Sequence, residues 1–280
     1  MSVVSPSPAG LCGGVWGYHD LPYAQAGSDP RLLLPTEAVA LGLTFTGSVH
    51  LSDAAVRGPA AGFTSFVAGP HSGALVYDHD DGLTGIGVFL APWAAYTLFG
   101  IPMDGLANTV VPASEVLGAR VDTLVRELRE APDRQARFRH LDRVLARWMF
   151  RGPAHAAPVE QVWWRLARSR GDTPVPGLAR EVGWCQRQLE RRFREQVGLS
   201  PKVVARIMRL RHTVRLLLEG RLVCDAAAEA GYHDQSHLSR EFRRMTGLSP
   251  RRFTAGAGKG ENGGPYGLIA DRPDLAAALH

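Results

Sequence analysis

Residues 231–253 read GYHDQSHLSREFRRMTGLSPRRF, and this stretch decides how the whole chain is interpreted. Gly231 predicts a turn, because glycine adopts a positive φ at little cost. Leu238 and Phe242 stand four residues apart, so they share one face of a helix. Gly247 ends that helix as its C′ residue, and the Ser-Pro pair that follows starts another. The stretch therefore predicts a helix-turn-helix whose second helix is basic and faces outward.

The same pattern occurs once earlier, where residues 183–201 read GWCQRQLERRFREQVGLSP. An offset of 49 positions (238 minus 189) aligns Leu189 with Leu238 and Phe193 with Phe242. The glycine and aromatic residue of the turn align at 48 instead (231 minus 183), so the second copy has one extra residue there. Because repeats decide architecture, we read the unit as a helix-turn-helix that is used twice.

The shared phrase G-aromatic…L-x-R-x-F-R…G-L-S-P resembles the DNA-binding domain of the AraC/XylS family of transcription regulators, and the match covers residues 159–254. The chain departs from the family at Ala226, where isoleucine is usual, and at Cys185, where serine is frequent; the cysteine weakens one N-cap. The resemblance implies an all-α domain of two helix-turn-helix motifs joined by a long helix, expected at 201–218. It also implies that double-stranded DNA is bound in two successive turns of the major groove, and that RNA polymerase is a partner.

The charge distribution agrees with this interpretation. Residues 174–254 contain 16 Lys and Arg against 8 Asp and Glu, a net of +8, which leaves −3 for the rest of a chain whose total is +5. A basic module on a mildly acidic body is typical of a polyanion-binding domain joined to a regulatory one. A solvated basic face is the alternative, and the repeated motif favours DNA.

Helical geometry separates inward from outward positions on the two recognition helices, which we predict at 185–197 and 234–246. Arginine matches O6 and N7 of guanine, and glutamine suits adenine. Recognition helices present their N-terminal residues to bases. The side chains that we expect near base edges are Arg187, Arg191, Gln235, Ser236, Ser239 and Arg240.

Other outward residues are assigned different roles. Arg194 and Arg243 lie a turn further from the helix start, so we expect them on phosphates. Glu190 accepts a hydrogen bond from cytosine or pairs with a neighbouring arginine. For Arg191 and Arg240 a second interpretation stays open, in which each braces its own domain with a buried stem.

The N-terminal half has the texture of short strands and turns. Apolar and small or polar residues alternate with a period of two over 39–46, and three further short runs follow before residue 91. Such a series suggests a small barrel or sandwich. Residues 66–118, with a Gly-Pro pair, the phrase P-W-A-A…L-F-G-I-P-M and the acidic helix that follows, look like the sensor half of one AraC-type subgroup, which implies a cupin-like β-barrel. The predicted fold class is therefore α+β, with a small N-terminal β-barrel, a helical extension and a C-terminal all-α domain.

The helical extension contains two amphipathic helices, separated at Pro132, that either cover the barrel or pair with a second copy in a homodimer. The predicted boundaries complete this organisation. They are a disordered start at 1–15, a sensor domain at 16–150, a linker at 151–158, a DNA-binding domain at 159–254 and a flexible tail at 255–280.

Several function classes find little support in the sequence. No apolar run is long enough to span a membrane. Three scattered cysteines fit a reduced cytoplasm and exclude a disulfide scaffold. A metal-dependent cupin-type enzyme needs clustered ligands, and the only nearby candidates are His50, His71, Asp78 and His79, without an H-x-H motif. We therefore expect no enzyme, no metal and no cofactor. A non-specific architectural protein is a further alternative, and a barrel can hold a small-molecule effector whose identity the sequence leaves open.

Overall fold

The computed structural model describes residues 14–22, 30–54 and 60–257. Most of the predicted disordered start (1–15) and most of the predicted flexible tail (255–280) lie outside these ranges. Of the described residues in these two stretches, Val15 begins the first strand, and residues 255–257 end the last helix. Below, residues 14–151 are called the N-terminal part and residues 157–257 the C-terminal part.

The N-terminal part contains two antiparallel sheets. The first has the strand order β1-β8-β3-β6-β9, and the second has the order β2-β7-β4-β5. The predicted strand over residues 39–46 is β3, at the centre of the first sheet. The strands are β1 (Val15–Leu21), β2 (Arg31–Leu33), β3 (Val39–Thr46), β4 (Val49–Asp53), β5 (Ala61–Phe63), β6 (Ser65–Ala68), β7 (Leu75–His79), β8 (Thr84–Leu90) and β9 (Val110–Pro112).

An apolar cavity lies between the two sheets. Ala40, Phe66 and Phe89 line it from the first sheet, and Leu51 and Tyr77 line it from the second. Residues on connecting segments complete the lining of the cavity, among them Thr36, Ala38 and His71. Burial lowers the pKa of the His71 imidazole, whose Nδ1 lies 2.6 Å from the carbonyl oxygen of Gly69. Burial therefore favours the neutral form of this ring.

The described residues of the N-terminal part include four α-helices: α1 (Pro92–Phe99), α2 (Ala113–Leu117), α3 (Arg120–Glu130) and α4 (Arg134–Arg151). The long helices α3 and α4 cover the first sheet. Phe138 of α4 packs on Tyr18, whose hydroxyl donates to Asp142 at 2.6 Å, and the Arg137 guanidinium lies over the Phe45 ring. One of the two roles expected for these helices, covering the β-structure, is thus observed.

The C-terminal part is all helical, and its elements follow the predicted order. The connector helix has the predicted bounds. The interdomain segment shortens to residues 152–156, because α4 continues through Arg151 and α5 already begins at Ala157. The helices are α5 (Ala157–Arg168), α6 (Val175–Glu181), α7 (Gln186–Val197), α8 (Pro201–Leu218), α9 (Val223–Glu229), α10 (Gln235–Thr246) and α11 (Pro250–Ala257). Within the described residues, no helix is both long and apolar enough to cross a membrane.

The two parts share one hydrophobic core. Trp163 of α5 lies between Trp16 of β1 and Trp93 of α1, with ring centroids 5.5 Å and 4.9 Å away. Helix α7 packs against α1 and against a 3₁₀ turn at Met103–Leu106. The first helix-turn-helix motif is therefore docked on the N-terminal part, a contact that the linker composition alone did not predict.

Candidate DNA-binding surface

Both helix-turn-helix motifs make the same turn. The amide of Trp184 donates to the carbonyl of Ala179, and the amide of Tyr232 donates to that of Ala227, both at 2.9 Å. The glycine before each aromatic residue has nearly the same positive φ, 69° in the first motif and 70° in the second. This left-handed conformation is the reason that glycine is needed at the position. The repeat inferred from sequence is thus a repeat in backbone geometry.

The extra residue of the second copy lies where the alignment predicts it. Two residues separate the turn glycine from α7, and three separate it from α10. The added position lets Asp234 cap α10, because its carboxylate accepts from the amide of His237 at 2.7 Å. Cys185, at the corresponding place before α7, makes no side-chain cap hydrogen bond. Only the second recognition helix therefore has an N-cap side chain.

The inward assignments of both recognition helices agree with burial. Leu189, Phe193, Leu238 and Phe242 are each 0% exposed. Phe242 also meets Phe253 of α11 edge to face, with centroids 5.5 Å apart. These side chains fix the rotation of each helix about its axis, and so they determine which residues face solvent.

The predicted contact residues lie outside the buried faces, either opposite to them or along their edges. Glu190 and Ser239 are half-buried, and the other seven are exposed, namely Arg187, Arg191, Arg194, Gln235, Ser236, Arg240 and Arg243. The three arginines of α7 form an i, i+4, i+7 stripe, and α10 has the equivalent stripe 49 positions later. The structure brings these side chains together on two exposed helix faces; their roles in DNA contact stay a prediction.

Arg191 and Arg240 are exposed and make no hydrogen bond or ion pair with any residue in the described ranges, so no polar contact supports the bracing role, which stays a prediction. In α10 another charged pair fulfils that role. Glu241 is buried and bonds Arg206 of the connector helix α8, with His237 3.9 Å away. This pair ties the recognition helix to the connector and leaves the guanidinium of Arg240 available.

Sequence reasoning missed one candidate. Gln186 stands 49 positions before Gln235 and is likewise exposed at the first position of its helix. Since glutamine at that position is expected near a base edge in the second motif, the same argument applies to Gln186 in the first. The offset used to align the repeats contains this signal.

Similarity to known proteins is strongest in this region. A family model described as a helix-turn-helix domain matches residues 178–256. RhaR, an HTH-type transcriptional activator of Escherichia coli K12, is 32% identical over 74 residues, and RhaR of Shigella flexneri serotype 5b matches equally. Each match covers 26% of this chain and 26% of the relative, so the chain spans about a quarter of the length of these curated relatives.

Two solved structures are also similar to this chain. ToxT from Vibrio cholerae O395 is 12% identical over 85% of this chain and 97% of its own, with a TM-score of 0.45. The C-terminal domain of AraT from Geobacillus stearothermophilus is 20% identical over 37% of this chain and 88% of its own, with a TM-score of 0.35. The family match and the RhaR relatives confirm a helix-turn-helix domain at the C-terminal end, and the paired turns show that the motif occurs there twice.

Proposed function

We propose that this chain is a sequence-specific, DNA-binding transcription regulator in which α7 and α10 enter two successive major grooves on one face of the duplex. One observation carries the proposal: two motifs whose turns share the same backbone hydrogen bond and glycine conformation present equivalent exposed stripes of polar and basic side chains, which core packing does not require. Successive major grooves on one face are about 34 Å apart, so one subunit reads an asymmetric site. Such a regulator acts in the cytoplasm, in agreement with the free thiols of Cys185 and Cys224.

A selection of bound sequences from a random DNA pool with the full-length protein tests this function. We expect a two-part asymmetric sequence, and an affinity whose logarithm falls with log salt at about −0.9 per phosphate contacted. Gln188→Ala is a suitable control for substitutions of the predicted contact residues, because Gln188 is exposed on α7 but is not one of them. Equal binding of selected and scrambled DNA at moderate salt would instead indicate a non-specific architectural protein.

We also propose that the apolar cavity of the N-terminal part holds a small-molecule effector. Its walls are mainly aliphatic and aromatic, with few polar groups, which is the usual composition of a ligand site. Ala40→Phe would fill the cavity from β3, at the centre of the first sheet. A metabolite fraction that raises the melting temperature of the parent protein, but not of this variant, would identify a ligand; equal shifts in both would refute the site.

A second copy of the chain and RNA polymerase are the remaining partners in the proposal. The exposed surfaces of α3 and α4 are available for pairing in a homodimer, since only their inner faces cover the sheet. Sedimentation of the full-length protein at micromolar concentration tests the dimer, and transcription in vitro from the selected site tests the polymerase contact. The described residues contain no group of three or more His, Cys, Asp and Glu that could hold a metal ion. Metal analysis of the purified protein tests the metal-dependent enzyme directly.

A further inference from the structure

The N-terminal part contacts equivalent ends of both recognition helices. One loop, between β6 and β7, reaches the last turn of each. The amide of Ala74 donates to the Met245 carbonyl of α10 at 2.9 Å. At the end of α7, a Cβ placed on Gly198 would lie 2.9 Å from Pro70 Cγ and 2.8 Å from the Met103 carbonyl, so only glycine permits this approach. Both contacts are at the C-terminal ends, away from the positions predicted to read bases.

A third contact reaches the connector between the motifs. The Glu37 carboxylate accepts from Arg211 of α8 at 2.7 Å, and Glu37 is only 1% exposed. Its second oxygen, Oε2, has no hydrogen-bond partner in the described part of the chain. A buried carboxylate depends strongly on its single partner, so the pair holds the two parts of the chain in one relative position.

The segments that make these contacts are joined to each other. Thr36 and His71 exchange two backbone hydrogen bonds, of 2.9 Å and 2.7 Å. Residues 36–38 and 69–74 therefore form one unit, which we call the wall. Thr36, Ala38 and His71 line the apolar cavity, whereas Glu37, Pro70 and Ala74 contact the C-terminal part.

A rigid wall at these places has a geometric consequence. Each recognition helix has 12 residues and is about 18 Å long. A small rotation of the helix about its C-terminal end therefore produces the largest displacement at its N-terminal, base-reading end. The connector α8 joins the motifs, but it is bonded to the wall as well. The wall therefore contacts both motifs and the connector that joins them.

We propose, on the basis of the DNA-reading function above, that the wall sets the separation of the two recognition helices, so that the N-terminal part determines which spacing between the two half-sequences is accepted. Glu37, Pro70 and Ala74 are positioning residues in this account, since none of them is placed at the DNA.

The test uses the full-length protein and DNA in which the two selected half-sequences are separated by the preferred spacing or by one or two base pairs more or fewer. The parent protein prefers one spacing. Glu37→Gln keeps the size of the side chain and weakens the bond to Arg211. From the strength of a charge-assisted hydrogen bond, we expect its preference over the neighbouring spacings to fall by about three- to tenfold, with either half-sequence alone bound as before.

Glu181→Gln is the matched control. It makes the same chemical change and removes an ion pair with Arg165 at 3.0 Å, but this pair is exposed and joins α5 to α6 within the C-terminal part. We expect it to keep the parent spacing preference. Glu37→Asp, which retains the charge, should restore part of the preference. Pro70→Ala trims the contact with Gly198 and decides the matter if Glu37→Gln does not fold.

Each outcome separates the inference from the function on which it rests. If the parent protein selects no two-part sequence, the proposed function fails. If the parent selects one, and the folded wall variants keep the parent discrimination between spacings, the connector alone sets the separation and the role of the wall is refuted. A preference that broadens in Glu37→Gln or Pro70→Ala, but not in Glu181→Gln, supports the inference.

Discussion

The second helix-turn-helix carries its own N-cap, whereas the first is supported from its other end by the N-terminal part. Asp234 accepts from His237 at the start of α10, and Cys185 makes no such bond at the start of α7. In return, α7 packs on α1 and on the 3₁₀ turn at Met103–Leu106, and the main observed contact of α10 with the N-terminal part is one backbone hydrogen bond, from Ala74. The two motifs thus have the same backbone arrangement, but different contacts stabilise it in each.

The outward faces differ as well, although the inward faces are the same. Arg187 of α7 corresponds to Ser236 of α10, while the leucine and phenylalanine positions are identical in both copies. Packing constrains the inward residues, because each fills a space in a dense core. Solvent-facing residues are under no such constraint. One frame can therefore present two different sets of side chains, which is what an asymmetric DNA site requires.

The largest expected effect tests whether the buried phenylalanine contributes equally to the free energy of unfolding in both motifs. Phe193→Ala and Phe242→Ala each remove a fully buried ring and should lower the free energy of unfolding by roughly 3–5 kcal/mol. Urea denaturation measures both. A loss below about 1 kcal/mol for either variant would contradict its inward assignment.

The second-largest loss of stability is expected when the ion pair between the N-terminal and C-terminal parts is removed. Arg211→Met leaves the Glu37 carboxylate buried without its partner, and we expect a loss of about 3 kcal/mol in the free energy of unfolding. The comparison is Arg165→Met, which removes an exposed pair with Glu181 and should leave the urea midpoint nearly unchanged. Similar losses for both variants would mean that the buried pair has no special role.

The two recognition helices can be compared directly through their equivalent arginines. Arg240→Ala should lose about 1–3 kcal/mol of discrimination against the wrong base at one position, and Arg191→Ala should do the same at a position in the other half-sequence. Competition binding with single-base variants of the selected site measures both. If either substitution weakens cognate and scrambled DNA equally, that arginine contacts phosphate or braces the domain.

The smallest effect concerns the helix starts. Cys185→Ser should give α7 an N-cap and raise the free energy of unfolding by about 0.5–1 kcal/mol. Asp234→Ala should lower the melting temperature at neutral pH. Hydrogen bonds from His233 and then from the His237 amide lower the pKa of Asp234, so its stabilising contribution is present above the ordinary value and is lost as the pH falls through the lowered one. The difference between parent and Asp234→Ala should therefore shrink in acid; a constant difference would exclude the cap.

The sequence was sufficient for the elements that depend on local chemistry. The turn glycines, the Ser-Pro helix start and the Leu-Phe spacing predicted the two motifs and the bounds of α8, because each of these signals acts within a few residues. The alternation of β3 had the same local origin.

The contacts between the two parts could not be predicted in this way. Glu37 and Arg211 are 174 positions apart, and neither stands in a pattern that indicates the other. Trp163 packs on Trp16 and Trp93, which belong to the other part of the chain. Long-range packing of this kind depends on how complete elements meet, which periodicity does not contain.

The central claim is that one chain reads DNA with two recognition helices at once, and a hydroxyl-radical and methylation-interference footprint on the selected DNA tests it most directly. The account predicts two major-groove patches on one face of the duplex, about 34 Å apart and different in sequence, with Arg191→Ala removing interference in one and Arg240→Ala in the other. A single patch, or two patches that both disappear with either substitution, would contradict it.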